Sequence, residues 1–574
     1  MSQDESKSAP EEAAAAPAVT SSVSPVRLQF IIAGIWLCLF MASMDTTIIT
    51  TALIKISSEY NALSQAPWLV TAYLLPYNSF LMITARLSDV WGLKAVLLAS
   101  NLIFLVFSMA CGASHIVFRA FQGIGGSGLY SLAFVSIMKL VDPEKMGFYS
   151  GVISSVFAVS NLLGPLLGGT ITDRTDWRWI FWINGPIVGT SLILLFFSMP
   201  KLKDEKSQWE KLRGFDSIGG LLSVGWPIPL LFALQEAGTR YPWSSGVIIG
   251  TLIAGIIGFF LFGGYEAWVS FKTKKEPVLP MRFLTKPCMA LLLASFFLYG
   301  FPMMVVFIQL PQRFQYVNFT SAERAGILLL PVTLMTPVGA MLSGGVLGKR
   351  MPIELILLAA TGITCIGFGL MSSLPVDSTF FNGTYGYEII TGLGLGLASA
   401  PYYMLLHTSV KEKDISIGTG TLNMMRILGG AVAVAICSAL HQSELQKHLP
   451  AFLNLEQMEM INESFAFTAQ LPEETRKELG RVFGKSYNKQ FQVMLAFTGL
   501  NFLVVILLSL VRKKKGVFGV LPVRKEENEF MKAAETKEGS TENDKGMMQA
   551  REKSVADEPN NDRGDERPDE ISKA

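Results

Sequence analysis

Long apolar runs separated by short polar segments dominate this chain. The runs cover roughly residues 29–54, 66–84, 95–113, 115–138, 148–171, 179–199, 216–236, 245–268, 288–311, 325–347, 353–374, 386–407, 416–440 and 490–511. A helix of about 20 apolar residues crosses the ~30 Å hydrocarbon core of a bilayer. Lipid offers the backbone no hydrogen bonds, so each run is predicted to be helical. The pattern predicts an all-α integral membrane protein with fourteen spans. Polar segments at 200–215 and 269–287 set two spans apart from the rest. The expected layout is therefore a disordered cytoplasmic tail over 1–27, a six-helix bundle over 28–199 and a linker region with two extra spans over 200–287. A second six-helix bundle over 288–511, with a long outer loop at 441–489, and a second disordered cytoplasmic tail over 512–574 complete it.

Charge fixes the expected orientation. With the N-terminus inside, the short inner segments carry 18 Lys and Arg residues, against 6 in the short outer segments. Such an excess belongs on the cytoplasmic side. Three N-x-S/T sequons, at Asn318, Asn382 and Asn462, all fall in outer segments and are glycosylation candidates. Asn382 lies close to the next span, which makes Asn462, in the longest outer loop, the better acceptor. Trp177, Trp179 and Trp182 mark an outer interface.

Composition narrows the function. Charged residues make up 16% of the chain and the net charge is +2, which argues against a nucleic-acid partner. The five cysteines lie in or at the ends of apolar runs and the four histidines are scattered, so neither a disulfide framework nor a metal site is expected. No G-x-x-x-x-G-K-[ST] loop is present, and no soluble segment is long enough for a catalytic domain. No cofactor is expected, and the chain reads as a non-enzyme.

Local motifs recur in both halves. The turn after the second span reads Ala85-Arg-Leu-Ser-Asp89-Val-Trp-Gly92-Leu-Lys94, and its counterpart in the second half is also glycine-containing and basic, Gly344-Gly-Val-Leu-Gly-Lys-Arg350. Further on come Arg119-x-x-Gln122-Gly-x-Gly125, Gly164-Pro165-x-x-Gly168-Gly169, Trp177-Arg-Trp-Ile-Phe-Trp-Ile-Asn184-x-Pro186, Phe215-Asp216-x-x-Gly219 and Arg426-x-Leu-Gly-Gly430. With Met44-Asp45-Thr-Thr-Ile-Ile49 in the first span, this series resembles the major facilitator superfamily, in particular its fourteen-helix drug:proton antiporter branch of fungal type. The resemblance covers about residues 28–512. It implies a major-facilitator fold of two six-helix bundles plus two linker helices, and internal repeats around a midplane site fit secondary transporters generally.

The resemblance also implies roles. Asp89, Gly92 and Lys94 match motif A, a gating turn, although Ala85 and Leu93 replace its usual glycine and arginine. Gly164, Pro165, Gly168 and Gly169 match motif C, a pattern associated with exporters, while small residues equally let helices pack closely. Family members usually have more than the 24 residues that here separate Lys94 from Arg119. Either the outer turn at Ala113-Ser114 is very tight, or a short piece is missing and the fourth span is displaced.

Charges within apolar runs default to functional candidates. Asp45 lies about 24 Å along the first span, and Arg119 about 6 Å inside the outer edge of the fourth. Their similar depth predicts a pairing, with Asp45 as proton carrier and Arg119 as its relay partner. Arg426 lies near the midplane, either facing a cavity or locking neighbouring helices. Gln122, Asn161, Gln309 and Asn423 are candidate substrate contacts that would equally serve packing, and Tyr299, Phe301, Tyr402 and Tyr403 are candidate pocket aromatics. Asp216, Glu236 and Glu266 fall at span ends and read as interfacial, and Glu388 as hydrated near the outer edge.

The reading that follows is a plasma-membrane transporter, with the vacuolar membrane as second choice. It exports small organic molecules by proton antiport through alternating access, with substrate, protons and lipid as its partners; the oligomeric state is left open, with a monomer favoured. Two other readings fit the same residues: uptake or exchange of siderophores or basic amino acids, and a non-transporting sensor or scaffold.

Overall fold

The structure is a computed structural model that describes residues 24–59, 68–112, 116–141, 145–200, 214–238, 241–273, 275–345, 351–411, 414–454, 457 and 471–519. The helices are α1 (Pro25–Glu59), α2 (Trp68–Trp91), α3 (Leu93–Cys111), α4 (Ile116–Leu140), α5 (Met146–Arg174), α6 (Trp179–Trp182), α7 (Asn184–Ser198), α8 (Ser217–Gly225) and α9 (Pro227–Glu236). They continue with α10 (Gly246–Lys272), α11 (Arg282–Thr285), α12 (Pro287–Asn318), α13 (Ala322–Leu328), α14 (Leu330–Gly345), α15 (Ile353–Ser372), α16 (Gly383–Ser409), α17 (Ile415–His448) and α18 (Glu473–Lys514). No strand is present among the described residues.

Among the described residues, twelve helical segments are long and apolar enough to cross a membrane. Helices α2 and α5, of 24 and 29 residues, have spanning length but a more polar or glycine-rich composition, and are not among the twelve, against the fourteen expected. The physical reason is visible in α2. It buries Thr71, Asn78, Ser79, Thr84 and Arg86 against protein, so it needs fewer apolar groups than a lipid-facing helix. At the other extreme, α10 leaves Ile249, Ile253, Ile257, Phe260 and Leu261 exposed, a surface suited only to lipid.

Three predicted spans are broken into two pieces. Asn184 follows the break between α6 and α7, Pro227 and Pro229 follow that between α8 and α9, and Pro331 follows that between α13 and α14. A proline withholds an N–H from the helical ladder and crowds the preceding turn, which accounts for the last two breaks.

The two halves use one packing scheme. Helix α1 packs on α5 as α12 packs on α17, and α2 on α4 as α14 on α16. Likewise α3 lies on α4 as α15 lies on α16, and α1 on α7 as α12 on α18. The repeat only faintly visible in the sequence is thus a repeat of helix partners. The halves meet where α5 touches α14 and α2 touches α17. Close crossings depend on glycine. A Cβ at Gly300 would meet the Arg426 carbonyl group and lie 2.9 Å from the Gly430 nitrogen, so α12 and α17 touch backbone to backbone. The linker spans pack beside this seam, α9 against both α2 and α17.

Helices α17 and α18 reach into the segment expected to be an outer loop at 441–489. α17 continues to His448 and α18 begins at Glu473. The extensions persist because they bury Leu479, Phe483 and Tyr487, with His441 stacked on Phe483 at 5.4 Å and Tyr316 at 5.4 Å on its ring.

Four carboxylates expected at water are instead buried. Asp216, Glu266 and Glu388 are 0% exposed and Glu236 is 4% exposed. Glu236 accepts a 2.8 Å hydrogen bond from Thr71, tying α9 to α2. Glu388 lies on α16 against Val332 of α14. At a helix end the sequence shows distance along the axis, but not whether a neighbouring helix covers that turn.

A buried ion pair closes the second half at the end where the basic segments lie. Arg512 and Glu354 are each 1% exposed, with Nε 2.6 Å from Oε1. Arg512 also donates to Ser409 Oγ (3.2 Å), Thr408 Oγ1 (3.1 Å) and the Val517 carbonyl (3.0 Å), and Gly519 N donates to Glu354 Oε2 (3.2 Å). Sequence reading missed this pair, because Glu354 and Arg512 each lie at a span end that reads as hydrated.

Candidate transport site

The site begins on α1 and α4. Arg119 and Gln122 are one turn apart on α4 and so share a face. Asp45 meets them from α1. All three are essentially inaccessible, at 1%, 1% and 0% exposure for Asp45, Arg119 and Gln122. Arg119 Nη1 donates to Asp45 Oδ2 at 2.5 Å and to Gln122 Oε1 at 2.8 Å, and Gln122 Nε2 donates to Asp45 Oδ1 at 3.0 Å. Arg119 Nε donates to the Leu69 carbonyl at 3.0 Å. The guanidinium lies 4.7 Å from the Tyr73 ring and 5.6 Å from that of Phe181, both good faces for a cation.

With Asp45 ionised, the pair is neutral overall, and each charge offsets the cost of burying the other. Arg119 also holds Gln122, the Leu69 carbonyl and two aromatic faces as partners, while its buried Nη2 has no hydrogen-bond partner among the described residues.

A second cluster joins the halves near mid-span. Arg426 of α17 donates to the Tyr130 hydroxyl of α4, lies 5.5 Å from its ring and donates to Met303 Sδ at 3.3 Å. Asn423, one turn earlier, accepts from Tyr403 at 2.6 Å. Tyr403 stacks on Phe134 of α4 at 4.9 Å. Tyr130 also meets Tyr77 at 6.1 Å and Phe157 at 6.0 Å. Tyr130 and Phe134 were missed in the sequence. The available signal was helical spacing, since Tyr130 stands three turns after Arg119 on the same face of α4.

Not every candidate belongs to these clusters. Phe301 packs on Phe497 of α18 at 4.5 Å, and Tyr402 bonds with Ser295 (2.7 Å) and Asn501 (3.3 Å) inside the second bundle. Tyr299 donates to the Leu395 carbonyl at 2.8 Å. Gln309 is buried on α12. The side chains of Asn161, Pro165 and Gly169 lie outside the described residues, as do Ala113, Ser114 and Asn462. Gly164 faces α1, where a Cβ would strike Thr47, and Gly168 is buried. Asn318 is half-buried and its amide donates to the Ser378 carbonyl at 3.3 Å, whereas Asn382 is exposed at the start of α16.

The motif A residues divide their work. Gly92 is the one-residue turn between α2 and α3, at φ +87°, a conformation that favours glycine. Asp89 accepts from Lys139 of α4 (2.9 Å) and from Ser416 of α17 (2.5 Å), so it bridges the halves. Lys94 reaches across to the end of α7. It donates to the Phe196 and Met199 carbonyls at 2.6 and 2.8 Å, capping the end of α7, where Arg27 also donates to Ser198 O at 2.6 Å. Gly420 of α17 fits against Ala85 of α2 beside the Asp89 bridge. The halves are thus closed together at the basic end.

Two repeated bundles of apolar helices, charges buried within them and a seam between the halves are the architecture of a membrane transporter. The model for the Major Facilitator Superfamily matches residues 35–434, and the chain belongs to that family. It is a transporter rather than an enzyme. It is 38% identical over 502 residues to the MFS-type transporter FPY5 of Fusarium mangiferae, covering 84% of this chain and 83% of that one. It is 32% identical over 435 residues to the efflux pump dotC of Dothistroma septosporum, covering 74% and 73%. Among solved structures, a bacterial homologue of the human lysosomal transporter Spinster, inward-facing and unoccupied, superposes with a TM-score of 0.52 at 14% identity. That match covers 84% of this chain and 97% of the other, and supports the fold alone.

Proposed function

We propose that this transporter exports small amphipathic organic molecules, of the drug, toxin or secondary-metabolite kind, in exchange for protons. The observation that carries the reading is the buried Asp45–Arg119–Gln122 triad, a titratable carboxylate held in the membrane with a cation that has other partners to turn to. The resemblance to a relative named as an efflux pump supports the outward direction. The aromatic cluster around Arg426 and Asn423 suits an amphipathic guest, with apolar faces for its body and a few polar groups to orient it.

In this mechanism a proton from the outer side neutralises Asp45 and frees Arg119 to its remaining partners. The bundles then rock about the aromatic cluster, the Asp89–Ser416 bridge opens, and the proton leaves to the cytoplasm as substrate enters. The transporter works as a monomer in the plasma membrane. Cells lacking it should retain more of its substrate than cells expressing it when challenged with a panel of amphipathic compounds. Equal retention of every compound would count against export. The same orientation places both tails in the cytoplasm, so a C-terminal tag should stay unlabelled on intact cells and be labelled after permeabilisation. Labelling before permeabilisation would reverse the topology.

A further inference from the structure

The linker spans hold a pair of carboxylates that the transport mechanism does not use. Asp216 caps α8 and Glu266 lies near the end of α10, and both are 0% exposed. One oxygen of each is satisfied. Asp216 Oδ1 accepts from Gly219 N (3.1 Å) and from the Tyr265 hydroxyl (2.8 Å), and Glu266 Oε2 accepts from Leu279 N (3.1 Å). The other two, Asp216 Oδ2 and Glu266 Oε1, have no hydrogen-bond partner. Both lie against the point that a Cβ on Gly219 would occupy, so the two free oxygens share one space that the missing side chain leaves open.

The charges around the pair do not neutralise it. Arg86 of α2 is the nearby cation, but its guanidinium is bonded to Glu276 at 2.7 Å and lies 3.9 Å from Asp89. Tyr265 donates its proton to the oxygen of Asp216 that is already satisfied. Two buried carboxylates side by side cannot both remain ionised at modest cost. A metal cation would need about six oxygen ligands in the usual hard-cation geometry, and among the described residues this pair offers two side-chain oxygens without a partner.

We propose that Asp216 and Glu266 bind one proton between them, in a hydrogen bond from one carboxyl to the other across the space beside Gly219. One proton satisfies both free oxygens and removes one of the two charges. The site lies at the basic end, next to Arg86, and Arg86 reaches both the linker segment at Glu276 and the Asp89 bridge between the halves. The proton held by the linker is therefore one ion pair from the gate. The assignment stands whether or not Asp45 carries the transported proton, because no residue is common to the two sites.

The test uses purified full-length protein in lipid nanodiscs. Infrared difference spectra at neutral pH should show a protonated-carboxyl band in the wild type that is lost in Glu266→Gln. The band should be lost equally in Asp216→Asn, whose amide can donate to Glu266 and whose side chain remains a good helix cap. Because the proposed proton stays on the folded chain at neutral pH, where unfolded carboxyls have already lost theirs, wild-type melting temperature should fall as pH rises above the ordinary carboxylate range. Both variants should lose that part of the slope. An identical band and slope in all three proteins would overturn the proposal. So would wild-type melting that responds to sodium or potassium at fixed pH and loses the response in the variants, which would make the site a cation site. If Glu266→Gln does not fold, Asp216→Asn decides alone.

Discussion

Replacing Asp45 with asparagine is expected to abolish proton-driven transport while leaving a folded protein that still binds substrate. Asparagine keeps the shape of the side chain, its oxygen can accept from Arg119 or Gln122, and it imitates the protonated carboxyl that the proposed cycle visits. It cannot release a proton, so the imposed gradient has nothing to act on. Substrate affinity should change by less than about tenfold, or ~1.4 kcal/mol, because Asp45 lies in a triad separate from the Arg426 cluster. The decisive comparison is gradient-driven accumulation against substrate binding in the same preparation. Wild-type uphill transport in Asp45→Asn would remove Asp45 from the coupling step. Loss of binding and transport together would make it a structural residue.

The largest expected effect on stability lies elsewhere, at Arg512. Arg512→Ala leaves Glu354 at 1% exposure with its main partner gone. Removing one member of a buried pair costs about 3–5 kcal/mol, chiefly because the remaining charge is stranded. It also frees Ser409, Thr408 and the Val517 carbonyl from their shared donor. Thermal unfolding in detergent should therefore show a large loss in Arg512→Ala, and the double variant Glu354→Leu with Arg512→Met should recover most of it, since an apolar pair of similar volume carries no desolvation cost. An unchanged single variant would mean that water reaches Glu354 and that the pair contributes little.

These two residues also show where the sequence is readable. Twelve of the fourteen expected spans are borne out by helices long and apolar enough to cross a bilayer, because the bilayer sets a minimum length. The Asp45–Arg119 pairing could be anticipated because each charge interrupts an apolar run, and rise per residue puts both at one depth. Glu354 and Arg512, like Asp216 and Glu266, stand at span ends, where charge is the rule and only the packing of a neighbouring helix distinguishes a buried group from a wet one. Tyr130 was hidden for a different reason. An aromatic residue in an apolar span looks alike whether it faces lipid, a neighbouring helix or Arg426, and only the contact between α4 and α17 singles it out. Lys94 matches a gating turn, and the structure adds bonds to the end of α7 that the motif does not predict.

The central claim is that an inward proton gradient drives substrate outward through this protein. It is tested most directly in vesicles whose outer face is the cytoplasmic face of the transporter. With the lumen made acidic, the wild type should accumulate substrate in the lumen above the outside concentration, alkalinise the lumen as it does so, and lose both effects when a protonophore collapses the gradient. Accumulation that persists without the gradient, or substrate movement in the same direction as the proton, would contradict the account.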